Sequence, residues 1–223
     1  MVGSSVNARV AAELQLGIYY KEFLPRGPME SVKAAFRGSR ATRARQRNDE
    51  LRQAGFEAPV NMAWGKLPGG REYLFSSAMR GQGVSWWLQS QLTRREGEQL
   101  QLRRKLLRSL GSFIGRMHAS GFIHGDLRTS NVLAEYRDSE FHFALIDNER
   151  NAHHDPAPGR AVMRNLMQLN MLLPADLSNR DRMRFFCQWR RQMVDLSPAE
   201  AKLLAVKSYQ WAMRRLRAKG KIT

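Results

Sequence analysis

HGDLRTSN, residues 124–131, sits in the middle of a 223-residue chain and decides how the rest is read. It places Asp126 five residues before Asn131. A second aspartate, Asp147, follows sixteen residues after Asn131, in IDNER (146–150), behind the apolar run Phe143, Ala144, Leu145, Ile146. Two oxygen donors on one loop and a third behind a short strand form a set that Mg2+ accepts. Phosphoryl transfer from a nucleotide asks little covalent chemistry of a protein. The phosphates must be held, a metal must neutralise them, and a carboxylate must orient the attacking hydroxyl. Asp126 suits the last task, and Asn131 with Asp147 suit the metal. Loops also carry Asp and Asn for turn chemistry alone, so the surroundings of the loop have to decide.

Those surroundings are organised. Upstream, in residues 97–121, Leu100, Leu107, Leu110, Ile114 and Met117 recur at helical spacing, which predicts a long helix with one apolar face. Further upstream, VNARVAAEL (6–14) and GIYYKEFL (17–24) read as strands, with a hairpin from Asn7 to Gly17. APVNMAWGKL and REYLFSSAM flank PGG (68–70) and read as a second hairpin. Between the hairpins, residues 29–54 read as one or two helices, stopped by Gly55. GQG (81–83) punctuates the chain before a short helix in VSWWLQSQL. FIHGDLRTSNVLAEY and FHFALIDNER read as short strands and loops, and everything after DPAPG (155–159) as helical and basic. The class is α+β with segregated elements: strand-rich 1–80, then helix-rich 81–223.

A catalytic loop with His, Asp and Asn, followed by a metal-holding Asp on the next strand, is the protein-kinase signature. Here His124, Asp126, Asn131 and Asp147 keep that order. The expected architecture is therefore a bilobal, protein-kinase-like domain: a small N-lobe over 1–80, a C-lobe over 81–223, the catalytic loop at 124–131. Such an enzyme needs a strand lysine to reach the phosphates. Lys21, in Tyr20-Lys21-Glu22-Phe23, fits, its aromatic neighbours alternating away from it. Arg128 stands where protein kinases usually carry Lys near the transferred phosphate, and adds a planar donor fork. His124 reads as a hydrogen bonder that organises the loop, His118 as a helix-end residue, and His153 with His154 as a solvated turn.

Composition sets the outer bounds. Hydrophobic residues make up 43% and charged residues 26%, as in a globular domain with a core. With 37 Lys and Arg against 20 Asp and Glu, the net charge is +17, which attracts nucleic acid, anionic lipid or a phosphorylated substrate without choosing among them. No recognition helix, zinc finger or aromatic platform is legible, so nucleic acid is not the expected partner. The single cysteine, Cys187, rules out an internal disulfide and fits a reducing compartment. Between aromatics in RFFCQWRR it reads as a buried thiol. No secretory signal and no apolar run of spanning length are legible, so a cytoplasmic location is expected, with any membrane contact peripheral.

HGDLRTSN with LIDNERN, RNLMQLNM (164–171), FRGSRATRARQRNDELRQAGFEAP (36–59) and SNRDRMRFF (178–186) together resemble the bacterial lipopolysaccharide kinase (Kdo/WaaP) family, over about residues 6–190. The resemblance implies a protein-kinase-like fold and transfer of a phosphoryl group from ATP to a Kdo or heptose hydroxyl of the lipopolysaccharide inner core. By motif, Asp126 matches the catalytic base, Asn131 and Asp147 the metal ligands, and Lys21 the phosphate-contacting lysine. It implies that Leu133 forms the apolar floor under the adenine, and Ser76 to Met79 the hinge that meets the base through backbone groups.

Four departures are visible. Asp147 is followed by Asn148-Glu149 rather than Phe-Gly. No glycine-rich loop precedes Lys21: only Gly3, Ser4 and Ser5 are offered, and the stretch before Lys21 is too short for two full strands and their loop, as in a truncated N-lobe. For the usual glutamate partner of Lys21 the sequence offers Glu50, in the right helix but late relative to Gly55; Asp49 and Glu50 read equally as solvated helix charges. Nothing fixes the acceptor sugar. RGSRATRARQR (37–47) reads either as a solvated helix face or as a patch for an anionic inner membrane, and WAMRRLRAKGK near the C-terminus as a similar amphipathic segment. The competing readings are a small atypical Ser/Thr protein kinase, and a pseudokinase or basic binding module.

Overall fold

The structure, a computed structural model, describes residues 2–5, 8–13, 16–25, 38–157 and 159–222. The chain divides into two compact units. The first comprises Met1–Arg80 together with Ala144–Arg150; the second comprises Gly81–Phe143 and Asn151–Thr223.

The first unit is a five-stranded antiparallel sheet with a helix on one face. Its strands are β1 (Val2–Ser5), β2 (Ala8–Glu13), β3 (Ile18–Phe23), β4 (Asn61–Leu67) and β5 (Arg71–Ser77), in the order β1-β2-β3-β5-β4. Both predicted hairpins form, β2–β3 and β4–β5. Two strands precede the one that carries Lys21, which corrects the expectation that the chain has no room for them. Gly3, Ser4 and Ser5 lie within β1, and the β1–β2 connection at residues 6–7 falls outside the described residues.

Helix α1 (Arg40–Gln53) is opened by Ser39, whose hydroxyl accepts from the Thr42 N–H. It stops at Gly55, whose φ of +82° a side chain would resist. The remainder of the predicted 29–54 helical stretch, 29–37, lies outside the described residues. The helix buries Arg40, Ala41, Ala44, Asn48 and Leu51 on one face. Ala41 and Ala44 are small enough to bring that face onto Phe23 and Leu74 of the sheet.

The second unit is built on α2 (Gly97–Ala119), the long helix whose spacing was legible. It packs against α4 (Asn179–Gln192), and Gly111 and Gly115 are what allow it. A Cβ at Gly111 would collide with the Phe185 carbonyl, and one at Gly115 would come 2.8 Å from the Trp189 carbonyl. Arg103, fully buried on α2, meets Asp181, the capping-box acid of α4, at 3.1 Å. Short pairings surround residues 124–131. β6 (Gln82–Gly83) pairs with β8 (Val132–Arg137), which pairs with β9 (Glu140–Leu145). β7 (Phe122–Ile123) pairs with β10 (Ala152–His153). Helix α3 (Gly159–Leu169) and α5 (Pro198–Ala218) complete the unit. Cys187 is exposed on α4 rather than buried. It lies on the face opposite Phe185 and Trp189, which take the apolar contacts that its neighbours in sequence suggested for it.

Candidate active site

In the first unit, Lys21 on β3 faces the same side of the sheet as Leu74, its cross-strand partner, and therefore the side that α1 covers. Its ammonium lies 2.6 Å from Asp147 Oδ1 and 3.4 Å from Glu149 Oε2. The structure thus brings together Lys21 and Asp147, two residues 126 apart in sequence. Asp147 adopts a left-handed backbone, φ +63°, unusual for a residue with a side chain and common at functional turns. The 3₁₀ turn Asn148–Arg150 follows and brings Glu149 back to Lys21.

Glu149 is also held by Arg40 of α1, whose Nη2 donates to both carboxylate oxygens at 3.1 and 3.3 Å. Lys21 and Arg40 each sit 5.1 Å from the centroid of the Phe23 ring. Asn148 donates to Asn48 on α1 and to the Leu145 carbonyl, both at 2.9 Å. Tyr19 shares the Lys21 face. Burial raises its phenol pKa above the ordinary value, with Lys21 opposing and Asp147 reinforcing the shift.

Glu50, the sequence candidate for the Lys21 partner, pairs instead with Arg47 one turn earlier. It is absent from the buried face of α1, and that is why it does not reach the lysine. Of the basic stretch 37–47, Arg37 lies outside the described residues, and three of the others are engaged within the unit. Arg40 is buried, Arg43 donates to the Gly38 carbonyl, and Arg45 stacks on Trp64.

In the second unit, the loop at 124–131 is held through its backbone by side chains. Asn165 on α3 accepts from the His124 N–H (3.0 Å) and donates to the His124 carbonyl (2.7 Å). Asn151 accepts from the Gly125 N–H (3.1 Å). His124 Nδ1 accepts from the Asp126 N–H (3.0 Å), the loop-organising role expected of it. Gln168 accepts from the Leu127 N–H (3.0 Å) and donates its amide to Asp126 Oδ1 (3.3 Å). The other Asp126 oxygen takes Arg128 at 2.6 Å. Asn131 donates its amide nitrogen to the Asp126 carbonyl at 2.8 Å.

Behind the loop, His118 is wholly buried rather than a simple helix-end residue. It accepts from the Trp189 indole (3.0 Å) and meets Asn165 (3.2 Å). Burial drives its pKa down to about 4, so it is neutral here. Leu133 is half-buried on β8, opposite Gly83. Of the expected hinge residues, Ser76 is buried, and Ala78 gives its N–H to the Gly17 carbonyl at 2.7 Å.

The profile of the lipopolysaccharide kinase (Kdo/WaaP) family matches residues 17–189. The chain belongs to this family. Among solved structures it is similar to WaaP, determined in complex with acyl carrier protein. The two share 18% identity over 97% of this chain and 87% of that one, with a TM-score of 0.66. It is also similar to the bifunctional kinase-methyltransferase WbdD, at 19% identity and a TM-score of 0.52 over 91% of this chain; it spans 47% of that longer one. A type VIII aminoglycoside-3'-phosphotransferase follows at 12% identity, a TM-score of 0.51, and 94% and 90% coverage. No curated protein matches the sequence at a significant level. These likenesses make the fold protein-kinase-like, and the family makes the protein an ATP-dependent kinase.

For this lipopolysaccharide kinase family member, RNLMQLNM is the segment that supplies Asn165 and Gln168, the two amides that brace the loop. The sequence marked that segment only as a likeness. Its amide residues share one helix face three apart, and this spacing was the available signal. Glu149 was likewise read only as a departure. Among the described residues no three His, Cys, Asp or Glu side chains cluster to form a metal cage. The Asp147 carboxylate in one unit and the Asn131 amide oxygen in the other are each hard donors of the kind Mg2+ takes.

Proposed function

We propose that this kinase phosphorylates a sugar hydroxyl, on a Kdo or a heptose, of the lipopolysaccharide inner core. The observation that carries the chemistry is the Asp126 carboxylate, positioned from both sides by Gln168 and Arg128 on a loop whose backbone is tied down. Asp126 orients the acceptor hydroxyl and takes its proton as the oxygen attacks the γ-phosphorus in line with the leaving ADP oxygen. Asn131 and Asp147 would hold Mg2+, which when bound neutralises phosphate charge. Lys21 meets the nucleotide phosphates, and Arg128 leaves Asp126 to steady the transferred group. Leu133 lies under the adenine.

Family membership supports a lipopolysaccharide acceptor. The chain has no helix, among the described residues, long and apolar enough to cross a membrane. A net charge of +17, with Arg214, Arg215 and Arg217 exposed on α5, supports peripheral contact with an anionic leaflet that presents the substrate. Equal sedimentation with anionic and neutral vesicles at low salt would remove that contact from the proposal.

The test is ATP turnover with purified core oligosaccharides, with and without Mg2+. Phosphate should appear on the sugar only when metal is present. Asp126→Ala should lower kcat by about a thousandfold and leave nucleotide affinity near wild type. Transfer to a protein substrate with none to sugar would replace the acceptor assignment. A full rate in Asp126→Ala would remove the role given to that residue.

A further inference from the structure

A phosphate-binding lysine needs a fixed anion, because an ammonium on a four-carbon stem has many rotamers to lose. Helix α1 offers none: its buried face carries Arg40, Ala41, Ala44, Asn48 and Leu51 and no acid. Asp147 is in contact with Lys21, yet it is also the candidate metal ligand. An aspartate that turns to a cation no longer holds the lysine. Among the described residues at Lys21, Glu149 is the remaining anion. Its side chain is 7% exposed, it lies 3.4 Å from Lys21, and it comes from the segment that carries Asp147.

We propose that Glu149 is the acid that positions Lys21 for the nucleotide phosphates, and that Arg40 is the residue through which α1 holds Glu149. The proposal rests on the kinase reading above. Its physical content is a charge balance. Lys21 and Arg40, with Arg150 farther out at 3.9 Å from Glu149, face two carboxylates, Asp147 and Glu149, and the Phe23 ring is in reach of Lys21 and Arg40. A carboxylate this buried would be costly with one partner alone, and the near-bidentate Arg40 contact offsets its desolvation. Where a helix glutamate would touch the lysine directly, here the helix supplies the cation and the metal-bearing segment supplies the acid. A shift of α1 then reaches Lys21 through the Arg40–Glu149 pair, beside the Asn48–Asn148 hydrogen bond. Arg40 and Glu149 are positioning residues: neither is assigned contact with substrate.

The separating experiment compares ATP kinetics with thermal stability in four proteins. Glu149→Gln keeps an oxygen for Arg40 and removes the negative charge beside Lys21. It should lower kcat/KM for ATP about tenfold or more, and lower Tm as well because Arg40 stays buried without its counter-ion. Arg40→Lys should recover part of the ATP efficiency that Arg40→Met loses. The exchange Arg40→Glu with Glu149→Arg restores an ion pair between the two positions but sets a cation against Lys21. It should recover stability relative to Arg40→Met without recovering ATP use. Wild-type kcat/KM for ATP in Glu149→Gln, or full recovery of it in the exchange, would overturn the proposal and make the pair purely structural. If the exchange does not fold, Glu149→Gln and the Arg40 pair decide. A wild-type protein that binds no Mg2+–ATP by calorimetry would overturn the kinase reading itself, an outcome distinct from binding by wild type with Glu149→Gln unchanged.

Discussion

The two clusters that carry the candidate chemistry are built from different materials. Around Lys21 the groups are ionic: Asp147, Glu149 and Arg40, within 2.6 to 3.4 Å of their partners. Around the backbone of the 124–131 loop the supports are neutral amides, Asn151, Asn165 and Gln168, with an uncharged His118 behind them, while the Asp126 carboxylate itself also takes Arg128. Neutral amides fix a backbone through directed hydrogen bonds and leave the local field nearly unchanged. Ion pairs are less directional and change partners when a third charge arrives. A loop that must present one carboxylate in one geometry is served by the first kind. A lysine that must exchange a carboxylate for a phosphate is served by the second.

The contrast is most exposed at Asn165. Asn165→Ala strands the His124 N–H and carbonyl, the His118 ring and one acceptance by Gln168, all buried. Unfolding in urea should show a loss of about 4 kcal/mol, from several unmet buried polar groups. A loss under about 1 kcal/mol would mean that the loop holds itself.

Acid should find the neutral network next. The folded pKa of His118, about 4, lies below its ordinary 6.5, so the unfolded chain binds the proton first. Stability is full above pH 6.5 and falls as pH drops from 6.5 towards 4, by about 3 kcal/mol from this residue. His118→Gln should flatten that part of the profile. An equally steep fall in the variant would assign the acid sensitivity to other groups.

Gln168→Glu sharpens the comparison by placing charge in the neutral cluster. The new carboxylate still accepts from Leu127 and Asn165 but turns an oxygen, not an N–H, towards Asp126. An expected fall in kcat of about tenfold, with KM for ATP unchanged, corresponds to roughly 1.4 kcal/mol. Unchanged kcat would limit Gln168 to bracing the backbone. The smallest effect is expected at Glu50, whose partner is another helix-surface residue. Glu50→Gln should change stability by less than about 0.5 kcal/mol and leave turnover alone. A large loss of ATP use there would return Glu50 to the candidate list.

Local signals were legible where one stretch of chain settles the matter. The hairpin pairings, the Gly55 stop and the apolar face of α2 follow from residues near one another, and all appear in the structure. The first strand was missed while the second was read, because β1 is only four residues long and rich in Gly and Ser, which carry little strand signal. Cys187 was misplaced because aromatic neighbours in sequence lie on different faces of a helix.

What the sequence by itself determined is the chemistry on offer: a loop with Asp126 and Asn131, an Asp147 behind an apolar strand, a strand lysine, and with them the family. Spacing along one loop and alternation along one strand are properties of the covalent chain. What only the tertiary structure decided is who holds whom. Glu149 reaches Lys21 because Asp147 takes a left-handed turn, and Arg40 reaches Glu149 across 109 residues of sequence. Asn165 and Gln168 meet the loop 41 residues before them because α3 packs there. Such pairings depend on where separate elements come to rest, and no local propensity encodes that.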